Sequence, residues 1–159
     1  MHRRSLVLSA CALLAGCGFE LRRTPPMAFT RLALVGFPPR SPMERELRAA
    51  LASHLQLVPS PAQAEVIVRA LADERQRVVV ASTAASQVRE IQLRVRLAFR
   101  VDAGNGRELA PPVELMLARD LSYNETQALA KQHEEAQILR DMQADLVQQV
   151  LRRLAALNP

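Results

Sequence analysis

Residues 91–102 read Ile-Gln-Leu-Arg-Val-Arg-Leu-Ala-Phe-Arg-Val-Asp, and they give the clearest strand signal in the sequence. Every odd-numbered position is apolar, and the even-numbered positions carry mostly charged or amide side chains. Successive side chains of a β-strand point to opposite faces of the sheet. We therefore predict a strand with one buried face and one wet face, as in an antiparallel sheet that covers a core on one side.

The residues that follow predict a hairpin. Residues 103–107, Ala-Gly-Asn-Gly-Arg, form a turn signal, because glycine and asparagine tolerate the backbone angles of tight turns. Val113, Leu115, Leu117 and Leu121 then resume the alternation, which predicts an antiparallel return strand. The two prolines at positions 111 and 112 lack backbone N–H donors, so we expect them to limit how early this strand can pair.

Two elements are predicted at the beginning of the domain. Residues 31–36, Arg-Leu-Ala-Leu-Val-Gly, predict a short buried strand. Residues 41–55 predict a helix, because Ser41 fits the N-cap, Pro42 the first helical position and Glu44 the third. Apolar residues then repeat every four positions, which gives this helix one apolar stripe.

The segment between this helix and residues 91–102 is strand-like. Valine and isoleucine residues open and close residues 65–82, but residues 73–76 in its centre are polar. This polar centre is compatible with either a turn or an exposed part of one strand. Residues 83–86 are small and polar, which predicts a loop.

The C-terminal third predicts a second helix. Its apolar residues recur at steps of three and four: Leu139, Met142, Leu146, Val150, Leu154 and Leu157. Arg152 and Arg153 lie late in this helix, where positive charge complements the helix dipole. Two amphipathic helices and a sheet with one apolar face can bury each other. The sequence thus predicts an α+β fold, a two-layer sandwich of two amphipathic helices on a mixed, mostly antiparallel four-stranded sheet.

The start of the chain resembles an export signal. A basic stretch, residues 2–4, precedes an apolar run of ten residues, which is shorter than the ~20 residues that a membrane-spanning helix needs. The run ends in residues 14–17, Leu-Ala-Gly-Cys, which resemble the lipobox of bacterial lipoproteins. We therefore predict a lipoprotein signal peptide over residues 1–16 and lipid attached to Cys17.

The lipid on this cysteine would anchor the domain to a membrane. Residues 17–29 are predicted to be a lipidated tether, stiffened by two consecutive prolines, and residues 30–159 a single domain. Gly18 and Phe19 follow the cysteine, where enteric lipoproteins retained in the inner membrane commonly carry aspartate. We therefore expect the outer membrane as the destination.

Composition argues against several classes of function. Loss of the signal's two arginines lowers the formal net charge from +5 to +3, and aromatic residues make up 3% of the chain, so no nucleic-acid partner is expected. Cys11 leaves with the signal and Cys17 carries lipid, which leaves no thiol as a nucleophile. His54 and His133 lack the zinc-protease spacing. We predict no catalytic residue, no metal and no cofactor.

Arginine is the remaining candidate binding group, with 20 arginines against a single lysine. Arg94, Arg96 and Arg100 share the polar face of the strand over residues 91–102. Guanidinium groups bind phosphate through two parallel hydrogen bonds, so such a row beside apolar surface could receive an anionic lipid. The alternative is that these arginines pair with Glu114 and Asp120 across the predicted hairpin.

Several stretches resemble the LptE family of lipopolysaccharide-assembly lipoproteins. Residues 17–22, Cys-Gly-Phe-Glu-Leu-Arg, are similar to the start of its mature chains. Its final strand and C-terminal helix resemble Arg119-Asp120-Leu121-Ser122-Tyr123-Asn124, Ala128-Leu129-Ala130-Lys131, Glu134-Glu135, Met142 and Arg153-Leu154. The predicted order of elements over the mature chain agrees with the two-layer α/β sandwich of this family.

The resemblance implies a role in lipopolysaccharide transport. Members of this family sit in the lumen of the outer-membrane β-barrel LptD, where they plug the barrel, aid its assembly and bind lipopolysaccharide. A lipopolysaccharide contact is implied at Lys131, whereas the loop at Thr83 lacks the basic residue that the family can carry, with Arg89 the nearest substitute. The candidate lipopolysaccharide-binding residues are Lys131, Arg89, Arg94 and Arg96.

Two other functions stay open on the sequence alone. The chain could be a generic periplasmic scaffold or adaptor lipoprotein of another outer-membrane assembly machine. It could also be a periplasmic hydrolase, which would require a polar cleft that holds His54 or His133 beside a carboxylate.

Overall fold

The computed structural model describes residues 26–84, 87–123 and 125–158. The predicted signal peptide and the predicted lipid attachment at Cys17 lie outside these residues. The elements follow in the order β1 (Arg31–Val35), α1 (Pro42–Leu51), β2 (Gln56–Leu57), β3 (Val66–Ser82), β4 (Val88–Ala103), β5 (Glu108–Ser122) and α2 (Ala128–Ala155). Short 3₁₀ helices occur at Pro61–Gln63 and Glu125–Gln127.

The strands form one mixed sheet in the order β2-β1-β3-β4-β5. β1 is parallel to both of its neighbours, and the β3–β4 and β4–β5 pairs are antiparallel. The predicted α+β class is confirmed. The sheet has five strands and not four, because the two residues of β2 add a short parallel edge beside β1.

The apolar side of β4 forms the centre of the core. Its odd-numbered residues from Ile91 to Val101 are each at most 2% exposed. They belong to one apolar cluster with buried residues of both helices: Met43, Leu47 and Leu51 from α1, and Met142, Leu146, Val147, Val150, Leu151 and Leu154 from α2. The alternating apolar residues of β4 therefore pack against the apolar stripes of the two helices, as the sequence predicts.

β3 runs without interruption through the polar residues 73–76, so the turn that the sequence left open does not form. A bulge lies between Ala70 and Ala72, where Leu71 becomes 53% exposed. β1 pairs only with the first part of β3, up to Arg69. The remaining part of β3, residues 71–82, has β4 on one side.

β5 is an edge strand that contains two prolines. Pairing with β4 begins at Glu108 opposite Asp102, so the expectation that the prolines restrict the start of this strand is wrong. The register between β4 and β5 is irregular here. Phe99 pairs with Val113 and Val101 pairs with Ala110, so the two prolines, at positions 111 and 112, lie opposite a single residue of β4. A bulge on an edge strand tolerates proline because no ladder hydrogen bond is required from it.

α1 begins as predicted and ends earlier than predicted. The Ser41 hydroxyl accepts a hydrogen bond from the Glu44 backbone N–H at 2.9 Å, which confirms the N-cap. The helix ends at Leu51 and not at Leu55. The chain must turn into β2 there, and the Gln56 N–H donates to the Thr30 carbonyl at 2.8 Å.

Substitution of Leu146 by alanine should destabilise the fold strongly. Leu146 is fully buried in α2, so Leu146→Ala leaves a cavity beneath β4 and should lower the free energy of unfolding by about 2–5 kcal/mol. Leu129→Ala in the same helix is the matched control. Leu129 is 71% exposed, and its removal should change stability by no more than about 0.5 kcal/mol. Urea unfolding measures both, and equal effects would contradict this packing.

Candidate functional site

The even-numbered residues of β4 lie on the face of the sheet opposite the helices, which we call the open face. Here the Arg96 guanidinium lies between two carboxylates, 2.8 Å from Glu114 on β5 and 3.2 Å from Glu74 on β3. These acids raise the pKa of Arg96 above its ordinary value. In return, hydrogen bonding from Arg96 lowers the pKa of Glu114. Arg96 thus forms the cross-hairpin pair that the sequence offered as the alternative to phosphate binding.

The other arginines of the open face are also engaged. Arg94 donates from Nε to the Gln92 side-chain oxygen at 2.6 Å, and Gln92 in turn donates to Asp120 at 2.8 Å. Arg69 and Arg100, which are cross-strand neighbours, lie 3.6 and 3.2 Å from the same Asp102 carboxylate. The Asp102 side chain is 8% exposed, so this acid is buried between two guanidinium groups.

Lys131 lies in the helix layer, at the start of α2. Its ammonium group lies 2.8 Å from Glu134 and 3.4 Å from the Ser122 hydroxyl at the end of β5, and its side chain is 16% exposed. Arg89 is exposed and lies beside the same end of β5, because its carbonyl accepts the Tyr123 N–H at 2.8 Å. The Arg89 guanidinium reaches the Gln87 side chain at 3.5 Å.

The four predicted binding residues therefore fall into two groups. Lys131 and Arg89 lie at the same end of the sheet, and Leu129, two residues before Lys131 in α2, is 71% exposed. We call Arg89, Ser122, Leu129 and Lys131 the end surface. Arg94 and Arg96 lie on the open face instead.

Behind the end surface is a contact that sequence reasoning missed. The Arg77 guanidinium lies over the Tyr123 ring, 5.3 Å from its centroid, and 3.4 Å from the Glu135 carboxylate. These groups join β3, the segment after β5 and α2. No sequence signal could have paired them, since Arg77 and Glu135 are 58 positions apart.

His54 and His133 are both exposed, and neither hydrogen-bonds to a carboxylate in the part of the chain that the structure describes. Within that part, no group of three His, Cys, Asp or Glu residues is arranged to hold a metal ion. None of the helices in the described ranges has the length and apolar character needed to cross a membrane.

Comparison with protein-family models matches residues 29–154 to LptE, described as lipopolysaccharide-assembly. The chain belongs to the LptE family. The match covers all five strands, α1 and α2 as far as Leu154, so the predicted membership of this family is confirmed over nearly the whole domain.

Solved structures agree with this membership of the LptE family. An uncharacterized lipoprotein B from Nitrosomonas europaea has 30% sequence identity and a TM-score of 0.73, and the match covers 87% of this chain and 91% of that one. A minor lipoprotein from Acinetobacter baumannii shares the fold at 23% identity and a TM-score of 0.65, with 84% and 100% covered. So does rare lipoprotein B from Shewanella oneidensis, at 22% identity and 0.65, with 80% and 95% covered. A search of curated proteins returned no match.

This LptE-family chain is thus a membrane-anchored lipoprotein of lipopolysaccharide assembly. On the open face, Arg96 and Arg100 are paired with carboxylates and Arg94 is hydrogen-bonded to Gln92. The end surface includes two basic side chains and an exposed leucine.

Removal of Arg96 should return the pKa of Glu114 towards its ordinary value. The lowered pKa means that the pair stabilises the fold at neutral pH, and this contribution is lost as the pH falls through the lowered pKa. NMR titration of the Glu114 carboxyl carbon in Arg96→Gln should therefore give a higher midpoint than in the wild type. Arg94→Gln, on the same face, is the control and should leave the midpoint unchanged. Equal midpoints in wild type and Arg96→Gln would contradict the pairing.

Proposed function

We propose that this lipoprotein is an outer-membrane subunit of the lipopolysaccharide transport complex. In this role it plugs an LptD-like β-barrel, helps the barrel to assemble, and binds lipopolysaccharide on its way to the outer leaflet. The observation that carries the binding part is the end surface, where Lys131 and Arg89 lie at the same end of β5 and the first turn of α2 carries the exposed Leu129. The proposed role as a whole is supported by membership of the LptE family.

The chemistry of lipid A suits the end surface. Lipid A presents phosphates next to acyl chains, so a binding group must offer cations and apolar surface together. The ammonium of Lys131 is held by the Ser122 hydroxyl and Glu134, which orients it without burying it fully. Arg89 has no carboxylate partner among the described residues, and its planar guanidinium is suited to phosphate. Lys131 and Arg89 are therefore the favoured contacts among the candidates.

The open face suits a different task. Arg96 lies between two carboxylates, whereas Lys131 has one, so Arg96 is the poorer receptor for phosphate. Arg94 is held to Gln92 at 2.6 Å, more closely than the 3.5 Å that separates Arg89 from Gln87. A face of paired charges is well matched to the polar interior of an outer-membrane barrel. We assign Arg94 and Arg96 to contact with the barrel lumen, with lipopolysaccharide as a secondary ligand.

The lipid anchor completes the role. Lipid on Cys17 would hold the domain at the inner leaflet of the outer membrane, on the periplasmic side, where the base of a barrel can enclose it. The tether is short, because Met27 already packs against the core and Phe29 is 4% exposed. Catalysis plays no part in this role, and no metal or cofactor is needed for it.

Reversal of the charge of Lys131 should weaken lipopolysaccharide binding. Lys131→Asp replaces a cation with an anion at the end surface, and we expect about a tenfold loss of affinity for lipopolysaccharide in detergent micelles. Arg152→Asp, near the other end of α2, is the control and should bind normally. Binding should also weaken with added salt. Unchanged affinity of a folded Lys131→Asp protein would exclude Lys131 as a contact.

The plug role predicts a stable complex. The full chain, extracted from its native outer membrane in detergent, should co-purify with a large β-barrel protein of the LptD type. Cys17→Ala, exported by an ordinary secretory signal, should fold with unchanged circular dichroism yet yield much less of this complex. Recovery of a different assembly machine would favour the generic adaptor function instead, and failure of Cys17→Ala to fold would refute the view of Cys17 as an anchor alone.

A further inference from the structure

The outer part of β3 has an unpaired backbone edge. β1 pairs with β3 only as far as Arg69, and the chain then leaves the sheet at Gly36, which has a φ of +79°. A side chain at Gly36 would collide with the Ala70 carbonyl, 2.5 Å from the position of its Cβ. Beyond Ala70, residues 71–82 have no strand on this side within the described part of the chain.

The hydrogen-bond pattern identifies which backbone groups face this edge. The Arg89 carbonyl accepts from the Tyr123 N–H and so faces β5. Since backbone groups of alternate residues face the same neighbour, those of residues 91, 93, 95 and 97 also face β5. Residues opposite one another in an antiparallel pair face the same way, either towards each other or apart. The β3 residues opposite 91, 93, 95 and 97 therefore direct both N–H and C=O away from β4. These partners are Asp73, Arg75, Arg77 and Val79.

The helix layer is incomplete above the same residues. α1 has ten residues and starts beside Asp73, which accepts a hydrogen bond from the Ser41 hydroxyl, whereas α2 has 28 residues and continues past it. The gap between the two helices is a pocket of about 630 Å³. Among the described residues, no strand pairs with this edge of β3 and no helix covers the gap above it, so there is space for an added segment of chain.

The pocket is basic. It is lined by Arg45 from α1, Arg75 from β3 and Arg140 from α2, and none of the three pairs with a carboxylate among the described residues. The one acid in its lining, Glu46, is already bonded by the Gln143 amide. Gln143 is 4% exposed, and its side-chain oxygen has no hydrogen-bond partner within the described ranges. The site thus offers three cations and one buried acceptor.

We propose that an extended acidic segment of a partner protein adds to the sheet along residues 73–79 of β3. Its backbone pairs with the four outward-facing residues, and its acidic side chains on the helix side reach Arg45, Arg75 and Arg140. Strand addition of this kind takes affinity from main-chain hydrogen bonds and specificity from alternate side chains. The site is separate from the end surface, so it does not depend on lipopolysaccharide binding.

The observations favour this edge and this occupant over the alternatives. Exposed Leu71 and Val79 flank the edge, whereas the β5 edge carries two prolines that disfavour pairing. A second copy of this chain is a poorer occupant, because antiparallel self-pairing on a two-fold axis would bring two basic pockets together. An acidic strand removes this repulsion and satisfies the arginines.

A pair of synthetic peptides tests the proposal. The full chain in detergent is titrated with Val-Thr-Glu-Thr-Glu-Thr-Val and with the same peptide carrying lysine in place of glutamate. The acidic peptide should bind about tenfold more tightly, because glutamate can form charge-assisted hydrogen bonds with the arginines. It should also slow hydrogen exchange at the amides of Asp73, Arg75, Arg77 and Val79. A version N-methylated at alternate residues should not bind.

Variants separate the charge from the backbone. Arg75→Glu should reverse the preference towards the lysine peptide, and Arg107→Glu, in an exposed turn of another hairpin, should leave it unchanged. Val79→Pro removes an edge N–H without loss of a β3–β4 hydrogen bond, so it should weaken binding of the acidic peptide while circular dichroism stays native. Equal binding of the acidic and basic peptides would overturn the proposal. So would concentration-dependent protection of the four amides without peptide, which would identify a second copy as the occupant.

Discussion

Packing of the apolar side of β4 against α2 holds the sheet and the helix layer together. β4 lies between β3 and β5, and its side chains from Ile91 to Val101 meet the buried stripe from Met142 to Leu154. Full burial of a large aliphatic or aromatic side chain contributes roughly 1.5–3 kcal/mol. Because one face of β4 is committed to this contact, its other face must be polar. This separation places Arg94 and Arg96 on the open face, on the opposite side of the sheet from α2 and Lys131.

The two layers give the basic residues different environments. On the open face, strands are about 4.8 Å apart, so an arginine of β4 lies within reach of acids on both neighbours, as Arg96 does. A basic residue in the helix layer has fewer acidic neighbours. Lys131 contacts the Ser122 hydroxyl at the end of β5 and one carboxylate, that of Glu134. Exposed ion pairs contribute little to stability, so the main effect of the open-face pairs is to balance the positive charge of the arginines locally.

The lengths of the elements create the asymmetry between the two ends of the domain. β3 has 17 residues, whereas β1 has five and α1 has ten. The short β1–α1–β2 unit lies near the tether. The outer part of β3 therefore extends beyond β1, which would pair with it, and beyond α1, which would pack over it. Natural sheets commonly protect such edges with charges, prolines or a covering element. Here the prolines lie on β5, and the residues at the β3 edge include two arginines.

Local patterns determined the fold class, the hairpin, the N-cap at Ser41 and the buried side of each element, because these depend on side chains close together in sequence. Membership of the LptE family was also readable from residues 119–154 and is confirmed by the match over residues 29–154. The residues 73–76 were ambiguous, since a polar run fits both a turn and the edge of a strand until the neighbours are known. The three-dimensional arrangement was needed to show that Arg96 is paired with acids, whereas Arg45, Arg75 and Arg140 line one basic pocket. Those relations join residues on different elements, and their distances depend on sheet register and helix placement, which no local pattern encodes.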